Sequence, residues 1–537
     1  MCGIFYLKSK QLETATKNGW NDIMKSIDYI QSRGPDRTEI RVYDNQVFGF
    51  HRLAINGIDR RGDQPFCIIS NNRKLCLIVN GEIYNHKELE QTYNLSNSTG
   101  SDCEVILHLY IKFGLVRAID MLDGVFGFVL TDGDDVYVGR DAIGVRPVFY
   151  RQNECDIGIS SIPLALESLN DSFSKTSPIE PGCLYHFNNN TVDKIRWYHV
   201  PNVLNELPSE TIFSRVQNTL INAIRKRLLL DRPFGCLLSG GLDSSLVASI
   251  LTRLCPGTRI NTFAIGFSKD ATDLVAAKKV ANFLNTKHHE VVVSMDDALA
   301  SVPEVIKQLG TYDITTIRAS VGMYLVCKWI RENTDIKVLF SGEGSDELFC
   351  GYLYLHYAPD EEILEQESRN LVHELHMYDV LRADRTVSCN GLELRVPFLD
   401  KEVIQTALNV PGKLRHPKNN NNLEKFILRQ AFNDLENPFI PSEVLWRRKE
   451  GFSDGVGNIE KPWYKYIQEE IESNFNDDLQ MAKEAGLPEP VTPESVYYFN
   501  IYNQIYKHSE PPMQKHWMPK WQDTNDPSGR VMPAFDE

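Results

Sequence analysis

The sequence has no apolar run approaching the ~20 residues that a membrane-crossing helix needs, and no basic-then-apolar leader at its start. Neither a membrane span nor an export signal is expected, and the cytoplasm is the expected compartment. Positive charge is in deficit: 57 Lys and Arg stand against 72 Asp and Glu, a formal net charge of −15. That excludes a general nucleic-acid binder, which needs a basic face to displace counterions from phosphates. The 11 cysteines show no short paired spacing, which sets aside a disulfide scaffold and a zinc ribbon and fits a reducing compartment. No internal repeat is present, and low complexity is confined to two short Asn runs, 188–190 and 419–422, expected to be loops. What remains is ordinary globular composition, 42% hydrophobic and 24% charged. At 537 residues the chain is long for one core, so two or more domains are expected.

Cys2 directly follows the initiator Met and becomes the N-terminal residue once that Met is removed. Its α-amino group, with an ordinary pKa of about 7.7–8.0, can then take the thiol proton, so one residue supplies nucleophile and base. Downstream stand Arg33-Gly34-Pro35-Asp36, His51-Arg52-Leu53-Ala54-Ile55-Asn56, Asn80-Gly81-Glu82 and Ser101-Asp102. Each fits a need of amide hydrolysis. Asn80 with the backbone N–H of Gly81 makes an oxyanion hole, Arg52 can grip an α-carboxylate through two hydrogen bonds, and Asp102 with the Glu82 region can hold an α-ammonium. Taken singly, Arg52 reads as a surface charge, Asn80-Gly81 as a hairpin turn and Asp102 as a solvated acid.

In that order, and with Gly124-Val125-Phe126-Gly127-Phe128, Gly139-Arg140-Asp141 and Gly144-Val145-Arg146-Pro147 behind them, residues 1–198 resemble the class II glutamine amidotransferase domain. The resemblance implies an α+β N-terminal-nucleophile hydrolase of two stacked antiparallel sheets between helices. It also implies that Cys2 frees ammonia from glutamine, with Arg52, Leu53, Ala54, Ile55, Asn56, Asn80, Gly81, Glu82 and Asp102 around the substrate. Ser160-Ser161-Ile162 departs from relatives, which place an acidic residue after the Ser.

Two Pro among several Asn and Glu mark 199–210 as a linker. Beyond it strands alternate with helices: helix 212–230, strand 234–238, strand 262–267, a helix from Asp273, strand 290–293, helices through 332, and strand 337–340. That is the pattern of a parallel, doubly wound α/β domain over 211–537. Its end reads as helical, most clearly at 361–382 and 422–434.

Leu237-Leu238-Ser239-Gly240-Gly241-Leu242-Asp243-Ser244-Ser245 leaves a buried strand and enters a helix, so backbone N–H groups point outward at the positive helix end. It lacks both the Gly-Lys-Ser/Thr ending of a Walker loop and the Gly-x-Gly-x-x-Gly of a dinucleotide fold. The stretch suits pyrophosphate, with Asp243 holding Mg²⁺. Ser341-Gly342-Glu343-Gly344-Ser345-Asp346-Glu347 repeats the theme after the last strand. There Asp346 can join Asp243 on Mg²⁺ and Glu343 can act as general base, while Lys449 supplies a cation for developing negative charge. Adjacent His288 and His289 face opposite sides of a strand and are not expected to chelate one ion.

With Leu381-Arg382-Ala383-Asp384-Arg385 and Gly391-Leu392-Glu393-Leu394-Arg395-Val396-Pro397-Phe398-Leu399-Asp400, nearly the whole chain resembles the glutamine-hydrolysing asparagine synthetases. The likeness implies a PP-loop domain binding ATP through Leu237, Ser239, Gly240, Gly241, Asp243, Ser244, Ser245, Ile265, Ser341 and Gly342. Asp243 and Asp346 are implied as Mg²⁺ ligands, and Cys2, Asn80, Gly81, Glu343 and Lys449 as catalytic. The implied partners are small molecules, namely glutamine, aspartate and ATP, and a homodimer is compatible with the likeness. The alternative is an amidotransferase acting on a different carboxylate acceptor. Departures at 269–272 and at Cys350-Gly351 bear on local loop geometry.

Overall fold

The computed structural model describes the chain apart from residues 11, 13–16, 170–171, 189–190, 202–208, 450–455, 458–461, 475–478, 485, 514, 523, 525–526 and 528–537. Most of the expected linker, the end of the first Asn run and the segment after Lys449 lie outside the described residues.

Strands β1 (Gly3–Lys8), β2 (Arg37–Tyr43), β3 (Gln46–Arg52), β4 (Phe66–Ser70), β5 (Arg73–Ile83), β6 (Gly124–Asp132), β7 (Asp135–Arg140), β8 (Phe149–Gln152), β9 (Ile157–Ser160), β10 (Ser177–Pro178), β11 (Cys183–Asn188) and β12 (Thr191–Arg196) build the N-terminal half. They pair antiparallel into two sheets, β10-β8-β9-β1-β3-β2 and β12-β11-β7-β6-β5-β4. Period-two alternation decides how these stack. On β5, Cys76 and Ile78 pack between the sheets with Ile4, Tyr6 and Phe48, while Leu75, Leu77 and Val79 pack outward with Val105, Ile106 and Leu109 of the helix Val105–Phe113. Phe5 and Leu7, on the other face of β1, join Ile23 and Ile27 of the helix Lys17–Asp28 in a core that runs on into the C-terminal half.

That half is a parallel sheet, β15-β14-β13-β16-β17, made of β13 (Phe234–Leu237), β14 (Asn261–Gly266), β15 (Lys287–Val292), β16 (Val338–Phe340) and β17 (Glu393–Arg395). Its inner strands are apolar on both faces, with Cys236, Phe263, Ile265, Val338, Leu339 and Phe340 all buried, as helices covering both sides require. The chain winds outward from β13 through β14 to β15, then returns to lay β16 on the other side of β13. A switch point therefore opens beyond the carboxyl ends of β13 and β16, where open α/β sheets hold ligands.

Two expected helices are shorter or broken. The segment 361–382 divides into Glu361–Glu374, a short 3₁₀ turn and Asp379–Ser388, interrupted at Tyr378 with φ −125° and ψ −94°. The break turns the second piece so that Asp379 and Arg382 reach the switch point. The helix expected at 422–434 contracts to Phe426–Ala431 because Asn421, Asn422 and Lys425 adopt positive φ of 56°, 54° and 56°. Asn tolerates that conformation; a lysine there is unusual and marks a constrained position.

The halves meet through buried charge. Arg33 donates to Asp384 at 3.0 Å and Ser388 at 2.7 Å, Arg146 lies 3.4 Å from the same Asp384, and Arg395 lies 3.3 Å from Glu82 and 2.8 Å from Glu393. All these side chains are nearly inaccessible, so each charge depends on its partners.

Candidate active sites

The first site gathers the ends of β1, β3 and β5. Cys2 sits just ahead of β1, its carbonyl accepting from Arg33 Nε at 3.1 Å and its Sγ 3.7 Å from the Leu53 carbonyl. Burial pushes the thiol pKa up, and the adjacent N-terminal ammonium opposes the rise. Met1 is itself buried, and burial first of all lowers its amine to about 6. At that value the Met1 amine is largely unprotonated at neutral pH.

Asn80-Gly81 is not a turn: both residues lie within β5, paired with Gly127 and Phe126 of β6. The Asn80 side chain is fully buried, and neither its Nδ2 nor its Oδ1 has a partner. Leaving a buried donor unpaired costs ~1–3 kcal/mol, so this amide is set for a group from outside. Gly81 is demanded from the β6 side, since a Cβ there would lie 2.5 Å from the Val125 carbonyl and 2.7 Å from the Phe126 Cα.

Arg52 serves its own loop in this structure. It donates to Asp63 at 2.7 Å and to the carbonyls of Asp59 at 2.5 Å, Asn56 at 3.3 Å and Gly57. Asp63, which the sequence did not single out, thus occupies the place expected for a substrate carboxylate. Ala54 and Ile55 anchor the C-terminal half through their carbonyls, which accept from Arg232 Nε at 2.7 Å and the Asp231 N–H at 3.0 Å. Asn56 donates to Glu82 at 2.5 Å, and Asp102 accepts from the Ile83 N–H at 2.6 Å. Burial raises both carboxyls, and for Glu82 the neighbouring Glu393 and Asp102 add to the rise. Two acids held in this way favour an incoming ammonium.

The second site is a cavity of about 460 Å³ at the switch point. Leu237, Ser239, Gly241, Asp243, Ser244, Ile265, Ser341, Gly342, Glu343, Asp346 and Lys449 all line it, whereas Gly240 and Ser245 stand outside the lining. Gly240, at φ +77°, lies against the backbone of Ala276 and Ala277, and Ser245 is buried in the helix Leu242–Leu254. Within the loop, hydroxyls take the N–H groups that could face an anion: Ser239 N–H donates to Ser244 Oγ at 3.2 Å and Gly241 N–H to Ser239 Oγ at 3.3 Å.

Opposite charges dominate the floor. Lys425 bridges Asp243 at 2.5 Å and Asp346 at 2.8 Å, and Lys449 adds a contact to Asp346 at 2.7 Å. Burial works against the Asp346 carboxylate, but Lys425 and Lys449 hold it well below the usual carboxylate range. Lys449 is held charged by Asp346 and Asp243 against its own burial. Higher in the cavity, burial raises Glu343 while Arg382, 2.8 Å away, opposes the rise. Glu347 is pushed up to about 8 by burial and then by Asp379 and Asp346, with Tyr352 donating to it at 2.7 Å.

Sequence reasoning missed Lys425, Glu347, Asp379 and Arg382 as parts of this site. Glu347 and Arg382 lie inside the motifs at 341–347 and 381–385, whereas Lys425 follows an Asn run and carries no signal. The two sites touch through β17: the Arg395 carbonyl accepts from the Ser341 N–H at 3.1 Å, while the Arg395 guanidinium lies against Glu82.

Both halves of the chain have known relatives. The family described as asparagine synthase matches residues 215–366 and 358–521, and that of the glutamine amidotransferase domain matches residues 1–214. The chain is 42% identical over 543 residues to an asparagine synthetase [glutamine-hydrolyzing] of Cricetulus griseus, and equally so to that of Homo sapiens, covering 94% of this chain and 95% of each relative. The Gallus gallus protein of that name is 41% identical over 540 residues, with the same coverage. With a thiol site in an antiparallel double sheet and an acid–lysine site at a parallel switch point, the chain belongs to the asparagine synthetase family.

Proposed function

We propose that the chain makes L-asparagine from L-aspartate, ATP and ammonia released from L-glutamine, yielding glutamate, AMP and pyrophosphate. The observation that carries this reading is the cavity in which Asp243 and Asp346 are balanced by Lys425 and Lys449, joined through Arg395 of β17 to Glu82 in the site that holds Cys2 and the partnerless Asn80 amide. In the first site the Cys2 thiol, its proton taken by its own amine, attacks the glutamine side-chain carbonyl. Asn80 Nδ2 and the Gly81 N–H receive the oxyanion. The C–N bond breaks, ammonia leaves with the proton, and water hydrolyses the thioester to glutamate. In the second site a β-carboxylate oxygen of aspartate attacks the α-phosphorus of ATP, and the bond to pyrophosphate breaks. Ammonia then attacks the acyl carbon of β-aspartyl-AMP, AMP departs, and Glu343 accepts the proton. An interdomain passage keeps ammonia from being protonated in bulk water.

Two carboxylates beside a phosphate cradle suit Mg²⁺, which is held by one or two acids plus substrate phosphates. Among the described residues no cluster of three or more such ligands exists. Asp243 and Asp346 would hold the ion, which would neutralise pyrophosphate charge. Lys425 and Lys449 are placed to turn from the acids to the phosphates. Among the described residues no helix is long and apolar enough to cross a membrane; a cytoplasmic location is one in which the eleven free thiols stay reduced.

Labelled glutamine, aspartate and ATP should give labelled asparagine with one AMP and one pyrophosphate each; ADP in place of AMP would overturn the reading. Lys425→Met should reduce asparagine formation by a factor on the order of 100, the scale of losing a preorganised charge, with glutamate release intact; an unchanged rate would remove Lys425 from the phosphate site. The pH profile gives a further check. The surroundings of the N-terminus lower an amine, and the base form is required, so the acid limb of glutamate release should fall below about pH 7.7, the ordinary amine value. A limb at or above that pH would assign the proton transfer elsewhere.

A further inference from the structure

Cys67 and Cys76 belong to neither site. They lie directly opposite one another in the β4–β5 pair. Opposed residues of antiparallel strands have Cα atoms ~4.5–5.5 Å apart, inside the ~4.4–6.8 Å that a disulfide spans. Their side chains share one face of the sheet, and the two Sγ atoms are already in contact at 2.6 Å. The pair is asymmetric. Cys67 is exposed on β4, the terminal strand of its sheet, whereas Cys76 lies behind it, 2% exposed, in the core between the sheets. Edge meets edge here: the Tyr43 hydroxyl of β2 is 3.9 Å from Cys67 Sγ, and Lys74 Nζ sits 3.0 Å from the centre of the Tyr43 ring.

We propose that Cys67 and Cys76 are a reversible thiol–disulfide site that exchanges with a low-molecular-weight disulfide of the glutathione type. Cys67 attacks as its thiolate. The hydrogen bond shared with Cys76 lowers its pKa most; burial opposes this, and Tyr43, Lys74 and Arg41 lower it further. The reagent's S–S bond breaks, a bond to Cys67 Sγ forms, and one glutathione thiol leaves with a proton. Cys76 then loses its proton to solvent, attacks Cys67 Sγ and expels the second thiol. The protein dithiol is oxidised, the small disulfide is reduced to two thiols, and β4 becomes covalently tied to β5.

The full chain is treated with oxidised glutathione until Cys155, exposed in the turn between β8 and β9, carries an adduct, and is then mapped by mass spectrometry without reduction. The expected result is a peptide containing residue 67 linked to one containing residue 76, released by a dithiol, with glutathione retained on Cys155. Cys76→Ala should leave a stable glutathione adduct on Cys67, and Cys67→Ser should leave Cys76 unmodified. Ammonia-dependent asparagine formation by each variant verifies that it is folded. A stable adduct on Cys67 of the parent chain without the cross-link, or an unmodified Cys67 where Cys155 is labelled, would overturn the proposal. If Cys76→Ala does not fold, the Cys67→Ser variant and the parent map decide alone.

Discussion

Cys2→Ala is expected to abolish glutamine-dependent asparagine formation, by a factor on the order of 10⁴ or more, the scale on which deleting a nucleophile acts. Ammonia-dependent formation should continue at the parent rate. The reason lies in which atoms of Cys2 carry structure. Arg33, which ties the halves through Asp384 and Ser388, holds the Cys2 carbonyl rather than its sulfur, and the sulfur makes only a long contact to Leu53. Replacing the thiol by a methyl group therefore removes the chemistry and leaves the interdomain network standing. Asparagine measured with glutamine and with ammonium salts, beside a melting curve, checks this. Loss of both activities in a normally melting variant would defeat the division of labour.

The second large effect is expected at Glu343. Its carboxylate pairs with Arg382, which Asp379 also holds at 2.8 Å. Glu343→Ala thus leaves Arg382 compensated and the cavity intact while removing the proton acceptor. Losing a general base costs typically 10²–10⁴, so asparagine formation should fall by a factor on the order of 100 or more. Glutamine hydrolysis should persist, and glutamate should accumulate in excess of asparagine. Lys449→Ala should match it in rate loss, because Lys425 remains on Asp346 to keep the site folded. An unchanged glutamate-to-asparagine ratio in Glu343→Ala would refute the role given to that residue.

What could be read from the sequence was what depends on neighbours along the chain. Cys2 announces itself by position, and Ser239 to Asp243 by a strand, a glycine turn and a helix start in succession. The alternation of strands and helices after residue 211 gave the parallel sheet for the same reason. What could not be read depends on distant residues arriving together. Lys425 reaches Asp243 across 182 residues of sequence and does so from a left-handed backbone that no local pattern forecasts. Arg52 carries the right charge for a substrate carboxylate, yet Asp63 and three carbonyls of the next loop claim its terminal nitrogens. Asn80-Gly81, whose commonest meaning is a turn, is held mid-strand because β6 leaves no room for a side chain beyond glycine. The helical pattern at 361–382 continues through Tyr378, where the chain breaks beside the cavity that Tyr378, Asp379 and Arg382 line.

The three residues of β17 have a consequence for how the substrates report on one another. One end of Arg395 is a rung to the loop that carries Glu343, and the other end is a counter-charge to Glu82 in the first site. Reciprocity follows from thermodynamics: whatever factor bound ATP imposes on glutamine affinity through this strand, glutamine imposes on ATP affinity in equal measure. Two ligands proposed for separate halves of the molecule are in that sense coupled through a single arginine.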